Sequence, residues 1–204
     1  MKQIEVSRAA MGRIPTYLEY LKSIAHNTEN ISATGLAGAL GMGEVQVRKD
    51  LASVSGAGRP KTGYNVKELI GALESFLCDD KSGSVVIIGA GKLGRALLDY
   101  AGFKDYGLEI TAAFDIAVGD GKKSECGKPI YPMEYFSEFC RKNDVKIGII
   151  TVPKHAAQQV CDLLVQNGIK AVWCFAACAL SVPDDVVIQY ENMALSLAYL
   201  NKRI

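Results

Sequence analysis

The spacing of apolar positions changes character partway along this chain. Up to about residue 80 they recur at helical intervals, whereas from 84 to 190 short β-branched runs alternate with helical stretches. TYLEYLKSIAH is amphipathic, and Pro15 just before it predicts a helix with proline in its first turn. Ser32 is placed to cap a short helix, ATGLAGAL, that Gly41 ends. A second helix is predicted over 44–54, and the tight GMG turn between the two predicts a helix-turn-helix.

At 100° per residue, Val47, Leu51 and Val54 share one face of that second helix and should pack inward. The opposite face carries Val45, Gln46, Lys49, Ala52 and Ser53, with Arg48 on its flank. Such a mixture suits base edges, thymine methyls and phosphates in a major groove. SGAGRPKTGYN, residues 55–65, follows at once and reads as a β-hairpin wing with Arg59 and Lys61 at its tip. Across 46–67 the cations Arg48, Lys49, Arg59, Lys61 and Lys67 face a single anion, Asp50. Gln46, Arg48, Lys49, Ser53, Arg59 and Lys61 are therefore the candidate DNA contacts. A packing unit with a solvated basic loop would show much of the same pattern.

The second half carries a sharper signal. SVVII, 84–88, has the β-branched composition of a buried parallel strand and runs directly into Gly89-Ala90-Gly91-Lys92-Leu93-Gly94 and a helix, RALLDYA. This is GxGxxG between strand and helix: Gly89 for the turn, Gly91 for close approach of a pyrophosphate, Gly94 for helix packing. A second strand, EITAAF, ends at Asp115, 21 residues beyond Gly94. A carboxylate there accepts from both ribose hydroxyls of an adenosine and repels a 2′-phosphate, which favours NAD(H) over NADP(H). Further strands are predicted at 146–151, 171–175 and 186–190, with helices from 155 to 166 and at NMALSLAYLNK. Thr151, Pro153, Phe175 and Ala176 follow strand ends and are candidates to line a nicotinamide pocket, although Phe175 fits a core position equally well.

Composition adds boundaries. The formal net charge of the 204 residues is +1, so any nucleic-acid surface is a local patch. No apolar run approaches the roughly 20 residues of a membrane span, and MKQIEVSRAAMGRIP lacks a secretory pattern, so a cytoplasmic protein is expected. The six cysteines, at 78, 126, 140, 161, 174 and 178, form no CxxC pair and read as reduced, small buried hydrophobes rather than metal ligands. A small NAD-dependent dehydrogenase would need an acid–base group near the nicotinamide; His155 and Lys154 are the available ones, with no room for a separate substrate domain. A CoA-binding sheet is the other alternative, against which Asp115 argues.

Both halves, in this order, resemble the Rex family of bacterial redox-sensing repressors over essentially the whole chain. The matching stretches are RIPTYLEYL, QVRKDL, the wing ending at Gly63-Tyr64, GAGKLGRAL, AFDI with Ile116, and TVPKHAAQ with Val152. The resemblance implies a homodimer on a palindromic operator, released by NADH while NAD+ competes. It also implies a C-terminal helix exchanged between protomers, to which Met193, Leu195, Leu197, Ala198 and Leu200 would contribute. The family's switch Tyr is kept as Tyr100, but its Asp reads Asn192, its Arg reads Glu19, and its NFAP stretch reads Cys174-Phe175-Ala176-Ala177. An Asn forms no charged pair and a Glu does not replace an Arg, which implies other switch contacts or a different sensitivity. The expected fold is thus α/β: a winged helix-turn-helix domain over 1–80, a linker at CDDKSGS, a Rossmann-type parallel-sheet domain over 84–190, and a swapped helix over 191–204.

Overall fold

Helix α1 (Arg8–Ile24) starts where Ser7 accepts a hydrogen bond from the Ala10 amide at 3.2 Å, about two turns before the expected position. Pro15 consequently sits inside the helix rather than in its first turn. The carbonyl it leaves without a donor belongs to Met11, whose side chain is on the exposed side. After a two-residue strand β1 (Asn30–Ile31), which the apolar pattern does not reveal, come α2 (Ala33–Leu40) and α3 (Glu44–Ser55). Ser32 Oγ accepts from the Gly35 amide at 2.9 Å, and Gly41 closes α2 in the left-handed region at φ 63°. Ser32→Ala should lower stability by roughly 1 kcal/mol, measured by urea denaturation; no change would mean that the cap is dispensable.

Strand β2 (Tyr64–Asn65) returns to pair antiparallel with β1, and α4 (Val66–Leu77) completes the unit. The core gathers Ile14, Tyr17 and Leu21 of α1, Leu36 of α2, Val47 and Leu51 of α3, and Leu69 and Leu73 of α4. The inward face expected for α3 is the observed one, with Val54 partly buried against the same cluster. Each fully buried Leu or Ile stabilises by roughly 1.5–3 kcal/mol.

The second unit is built on β3 (Ser84–Ile88), α5 (Lys92–Asp99), β4 (Ile110–Asp115), β5 (Lys122–Lys123), β6 (Pro129–Pro132), α6 (Phe136–Lys142), β7 (Val145–Ile150), α7 (Lys154–Gln166), β8 (Ala171–Cys174), β9 (Val187–Tyr190) and α8 (Met193–Asn201). The sheet order is β5-β6-β4-β3-β7-β8-β9, with every pairing parallel except that of the edge strand β5. Alternate residues of β3 serve opposite faces. Val85 and Ile87 join Leu98, Ile110 and Ile130 on one side, while Val86 and Ile88 join Phe114, Phe136 and Leu164 on the other. A strand covered on both faces has no polar side to show, which is why SVVII reads as a continuous apolar run.

The structure describes residues 7–77 and 84–203 as a computed structural model, and the chain divides into two units, Met1–Asp79 and Asp80–Ile204. Of the expected linker, only Ser84 is described, and it is the first residue of β3. Cys78 lies outside the described residues. Helix α8 is counted within the second unit, and no helix among the described residues is long and apolar enough to cross a membrane.

Candidate nucleotide and nucleic-acid sites

In the parallel sheet the strand order reverses between β3 and β7, and the turns that leave these two strands meet. Crevices at such points, beyond the carboxyl ends of the strands, are where ligands bind in this architecture. Gly89 has φ +104°, and a β-carbon there would lie 3.0 Å from the Thr151 backbone. A β-carbon on Gly94 would stand 1.9 Å from the Gly89 carbonyl oxygen. Above Gly91 a β-carbon would meet nothing within 4 Å. Two glycines are thus demanded by the protein itself, and the third leaves open space at the first turn of α5, where free amides and the helix dipole favour an anion.

Thr151 has a part within the turn itself. Its hydroxyl donates to the Gly89 carbonyl at 2.7 Å, with the Ile88 carbonyl 3.1 Å away, so it braces the glycine turn. Asp115, at the end of β4, accepts from the Ala90 amide at 2.6 Å and from the Ala117 amide at 2.8 Å. Its carboxylate therefore stands directly beside the turn. Next to it Ile116 is 92% exposed and borders a hollow of about 370 Å³ whose lining sets Val118, Pro132 and Met133 beside the acidic Asp120 and Glu134. Lys92 and Arg95 of α5 and Lys122 and Lys123 of β5 surround a groove of about 790 Å³ that opens at Ala90 and Gly91. None of these four cations has a carboxylate partner among the described residues. The two lysines of β5 escaped the sequence reading because a two-residue edge strand carries no periodic signal.

Leu93 is half-buried, Val152 packs on the core, Pro153 is exposed, and Ala176 is buried. Phe175 is half-buried with its ring 4.6 Å from that of Trp173, a packing contact. Tyr100 is exposed and meets Phe103 edge-on. Lys154 and His155 open α7 and are exposed. Asn192 caps α8, accepting from the Leu195 amide at 2.9 Å, and the apolar residues of α8 are exposed around the helix. Burial pushes the Cys161 and Cys174 thiols up, and that of Cys140 to about 11, which makes these three unreactive. Cys126 departs from the expectation of buried thiols: it is exposed in the turn between β5 and β6.

In the first unit Val45, Gln46, Arg48, Lys49 and Ala52 are exposed on α3. The wing is a minimal hairpin: Arg59 and Gly63 exchange backbone hydrogen bonds of 2.7 and 2.8 Å around Pro60-Lys61-Thr62. Gly63 lies so close to β1 that a β-carbon would be 2.3 Å from the Ile31 carbonyl oxygen. The charge count needs correction. Arg48 pairs with Glu44 and Arg59 reaches Glu68 at 3.7 Å, both anions just outside the stretch counted from sequence. Exposed pairs of this kind are weak and yield readily to phosphate. Ser53 donates to the Asp50 carbonyl at 2.6 Å.

Asp50 is not a surface anion. Its side chain is 2% exposed; Arg13 Nε donates to Oδ2 at 2.7 Å, Arg13 Nη2 to Oδ1 at 3.1 Å, the Tyr17 hydroxyl to Oδ2 at 2.8 Å and Gln46 Nε2 to Oδ1 at 3.0 Å. Burial alone would push the carboxyl up, but these hydrogen bonds and the Arg13 charge hold it below the usual aspartate value. Arg13 and Tyr17 went unnoticed as functional residues, although a charge beside inward-facing Val47 and Leu51 signals a need for a buried partner.

A winged helix with a polar exposed face on its second helix, in one chain with a Rossmann sheet whose glycine turn is open to a phosphate, is the make-up of a nucleotide-responsive DNA-binding regulator. Residues 5–52 match the family described as putative DNA-binding protein N-terminus, and residues 80–178 match the CoA binding domain family. The chain belongs to the Rex family of redox-sensing transcriptional repressors. It is 39% identical to the redox-sensing transcriptional repressor Rex of Treponema denticola, over 98% of this chain and 95% of that protein. Its identity to the Rex of Porphyromonas gingivalis is 37%, over 98% and 92%. Among solved structures, RSP in complex with beta-NAD+ and operator DNA matches at 35% identity and a TM-score of 0.85, covering 97% of this chain and 92% of that one. RSP in complex with beta-NADH matches at the same identity with a TM-score of 0.76, covering 98% and 94%. These relatives are named as repressors, not as dehydrogenases.

Proposed function

We propose that this chain is a cytoplasmic, homodimeric repressor that binds a palindromic operator and is released from it by NADH, with NAD+ competing for the same site. The single observation that carries this reading is the phosphate-ready glycine turn with Asp115 beside it, in a chain that also exposes a recognition face. Support comes from RSP, a 35% identical protein solved with beta-NAD+ and operator DNA and with beta-NADH. The domains divide as 1–80, 84–190 and 191–204, the last exchanged between protomers through its exposed apolar residues.

Gly89, Ala90, Gly91, Lys92, Leu93 and Gly94 would hold the pyrophosphate, Asp115 the adenosine ribose and Ile116 the adenine. Thr151, Val152, Pro153, Phe175, Ala176 and Tyr100 would border the nicotinamide end. Reduction adds a hydride to the nicotinamide and removes its positive charge, so discrimination lies at that end. Operator release follows from unequal affinity of two dimer arrangements for the reduced form, which no longer set both recognition helices on half-sites an integral number of turns apart. Gln46, Arg48, Lys49, Ser53, Arg59 and Lys61 make the DNA contacts.

Titrating NADH, then NAD+, into the protein bound to fluorescent palindromic DNA at fixed salt tests the whole reading. Release by NADH alone supports it; DNA binding indifferent to both nucleotides would remove the redox switch. A dimer crosslinked in its DNA-bound form should no longer respond to NADH. Replacing Lys122 and Lys123 together by Ala should weaken NADH binding roughly threefold and flatten its salt dependence, as expected for exposed charges. An unchanged salt slope would exclude these lysines from the site. The CoA reading has the match of residues 80–178 behind it; failure of CoA to displace NADH in a competition titration would dispose of it.

A further inference from the structure

We propose that Gln46 selects a base carrying an exocyclic amino group, adenine before cytosine, and that buried Asp50 sets this choice by holding the Gln46 amide in one orientation. The proposal rests on the DNA-binding reading above and adds to it a specificity-determining contact and its positioning residue.

Gln46 Nε2 lies 3.0 Å from Asp50 Oδ1. An ionised carboxylate only accepts hydrogen bonds, so the amide atom that meets it has to be the nitrogen. The amide oxygen, Oε1, is thereby turned off the carboxylate, on a side chain that is exposed and lies in the first turn of α3. That turn is the part of a recognition helix that reaches base edges. A glutamine without such a tether can rotate its amide by half a turn and offer a donor or an acceptor with equal ease. Here that rotation would set Oε1 against a negative oxygen in a buried setting.

Asp50 is itself immobile. Arg13 grips it through two nitrogens at 2.7 and 3.1 Å and Tyr17 through its hydroxyl at 2.8 Å, so both anchors come from α1. The same hydrogen bonds keep the carboxyl ionised despite its burial. The acceptor character on which the orientation depends therefore persists at neutral pH.

In the major groove adenine and cytosine present an amino group, whereas guanine and thymine present carbonyl oxygens. An outward Oε1 accepts from the first two and is repelled by the others. Adenine also offers N7 to the second amide hydrogen, which cytosine does not; guanine has that N7 but sets its O6 against Oε1, so adenine alone satisfies both amide atoms and ranks first.

The test is a fluorescence-anisotropy panel at fixed salt, with all four bases placed in turn at each half-site position, for wild type, Gln46→Ala and Asp50→Asn. Wild type should favour adenine over guanine and thymine by on the order of tenfold at one position per half-site, and Gln46→Ala should flatten that position alone. Asp50→Asn places an amide beside Gln46, permits the rotation, and should shift the ranking toward guanine or thymine. A thermal melt shows whether that variant folds; if it does not, wild type and Gln46→Ala decide the selectivity of Gln46. A folded Asp50→Asn with the wild-type ranking would overturn the part assigned to Asp50. A Gln46-dependent preference for guanine or thymine, or a Gln46→Ala panel identical to wild type, would overturn the selection itself. Wild type without salt-sensitive affinity for any duplex would sink the DNA-binding reading and this proposal with it, an outcome distinct from specific binding with the wrong base ranking.

Discussion

Gly94→Ala should weaken NADH binding at least about tenfold and leave a protein that still binds its operator but is no longer released by NADH at concentrations that release wild type. The added β-carbon would stand 1.9 Å from the Gly89 carbonyl oxygen and 3.0 Å from Thr151 Oγ1. Neither neighbour can yield cheaply. The first is backbone, and Gly89 is held by its φ of +104°, by its closeness to Thr151 and by the 2.7 Å hydrogen bond from the Thr151 hydroxyl. Overpacking at a well-packed site costs roughly 1–3 kcal/mol, and a tenfold change in affinity is about 1.4 kcal/mol. Relaxation here would move the very turn that is to face the pyrophosphate. The measurement is an NADH titration by calorimetry beside an operator-release assay. Wild-type affinity in Gly94→Ala would remove this turn from the cofactor site.

Arg13→Met should destabilise the winged-helix unit by about 3 kcal/mol, the scale on which losing one partner of a buried ion pair operates. Asp50 would keep only Tyr17 and Gln46 around a carboxylate that is 2% exposed. Because Arg13 is itself a quarter exposed, the lower end of the usual range applies. The pH dependence carries a sign. In the wild type the folded carboxyl of Asp50 lies below its ordinary 3.8, so its stabilisation is complete above that pH and is lost as the pH falls through the lower folded value. In Arg13→Met uncompensated burial raises the carboxyl, and acid then favours the folded state. The stability gap between the two proteins should accordingly narrow as the pH falls through and below 3.8.

Tyr17 acts at the other extreme. Burial first, and the hydrogen bond to Asp50 second, push its hydroxyl from 10.0 to about 12. Its stabilising contribution is therefore whole below pH 10 and fades as the pH rises toward 12. Denaturant unfolding of both proteins across the pH range reads both limbs. A gap below 1 kcal/mol at neutral pH would mean that Arg13 is not what holds Asp50 in place.

Asn192 bears on how far the family's switch carries over. In this chain it caps α8 by accepting from the Leu195 amide at 2.9 Å, a task that Asn and Asp perform about equally well. The helix start is therefore preserved without the negative charge. Tyr100 meets Phe103 edge-on and has no charged partner among the described residues.

What the residues determined by themselves was whatever rests on near neighbours in the chain. The cap at Ser32, the left-handed stop at Gly41, the inward stripe of Val47 and Leu51, and the strand–turn–helix around Gly89, Gly91 and Gly94 all depend on positions within one or two turns of one another. Periodicity and backbone preference record such relations directly. The start of α1 was misplaced because RAAMGR has no clear amphipathic stripe and a proline fits a first turn so well. Strands β1 and β5 were missed because two residues hold no period.

Only the tertiary structure decided which charges are buried and which polar groups face one another. Asp50 looked like a surface anion until Arg13, 37 residues away, was placed against it. That the Thr151 hydroxyl braces Gly89, 62 residues earlier, shows only once the two turns stand side by side. Lys122 and Lys123 reach the groove at Gly91 only through the pairing of the edge strand. The physical reason is common to all three: a polar side chain's energy is set by the partner and the dielectric it meets, and neither is given by its neighbours in sequence.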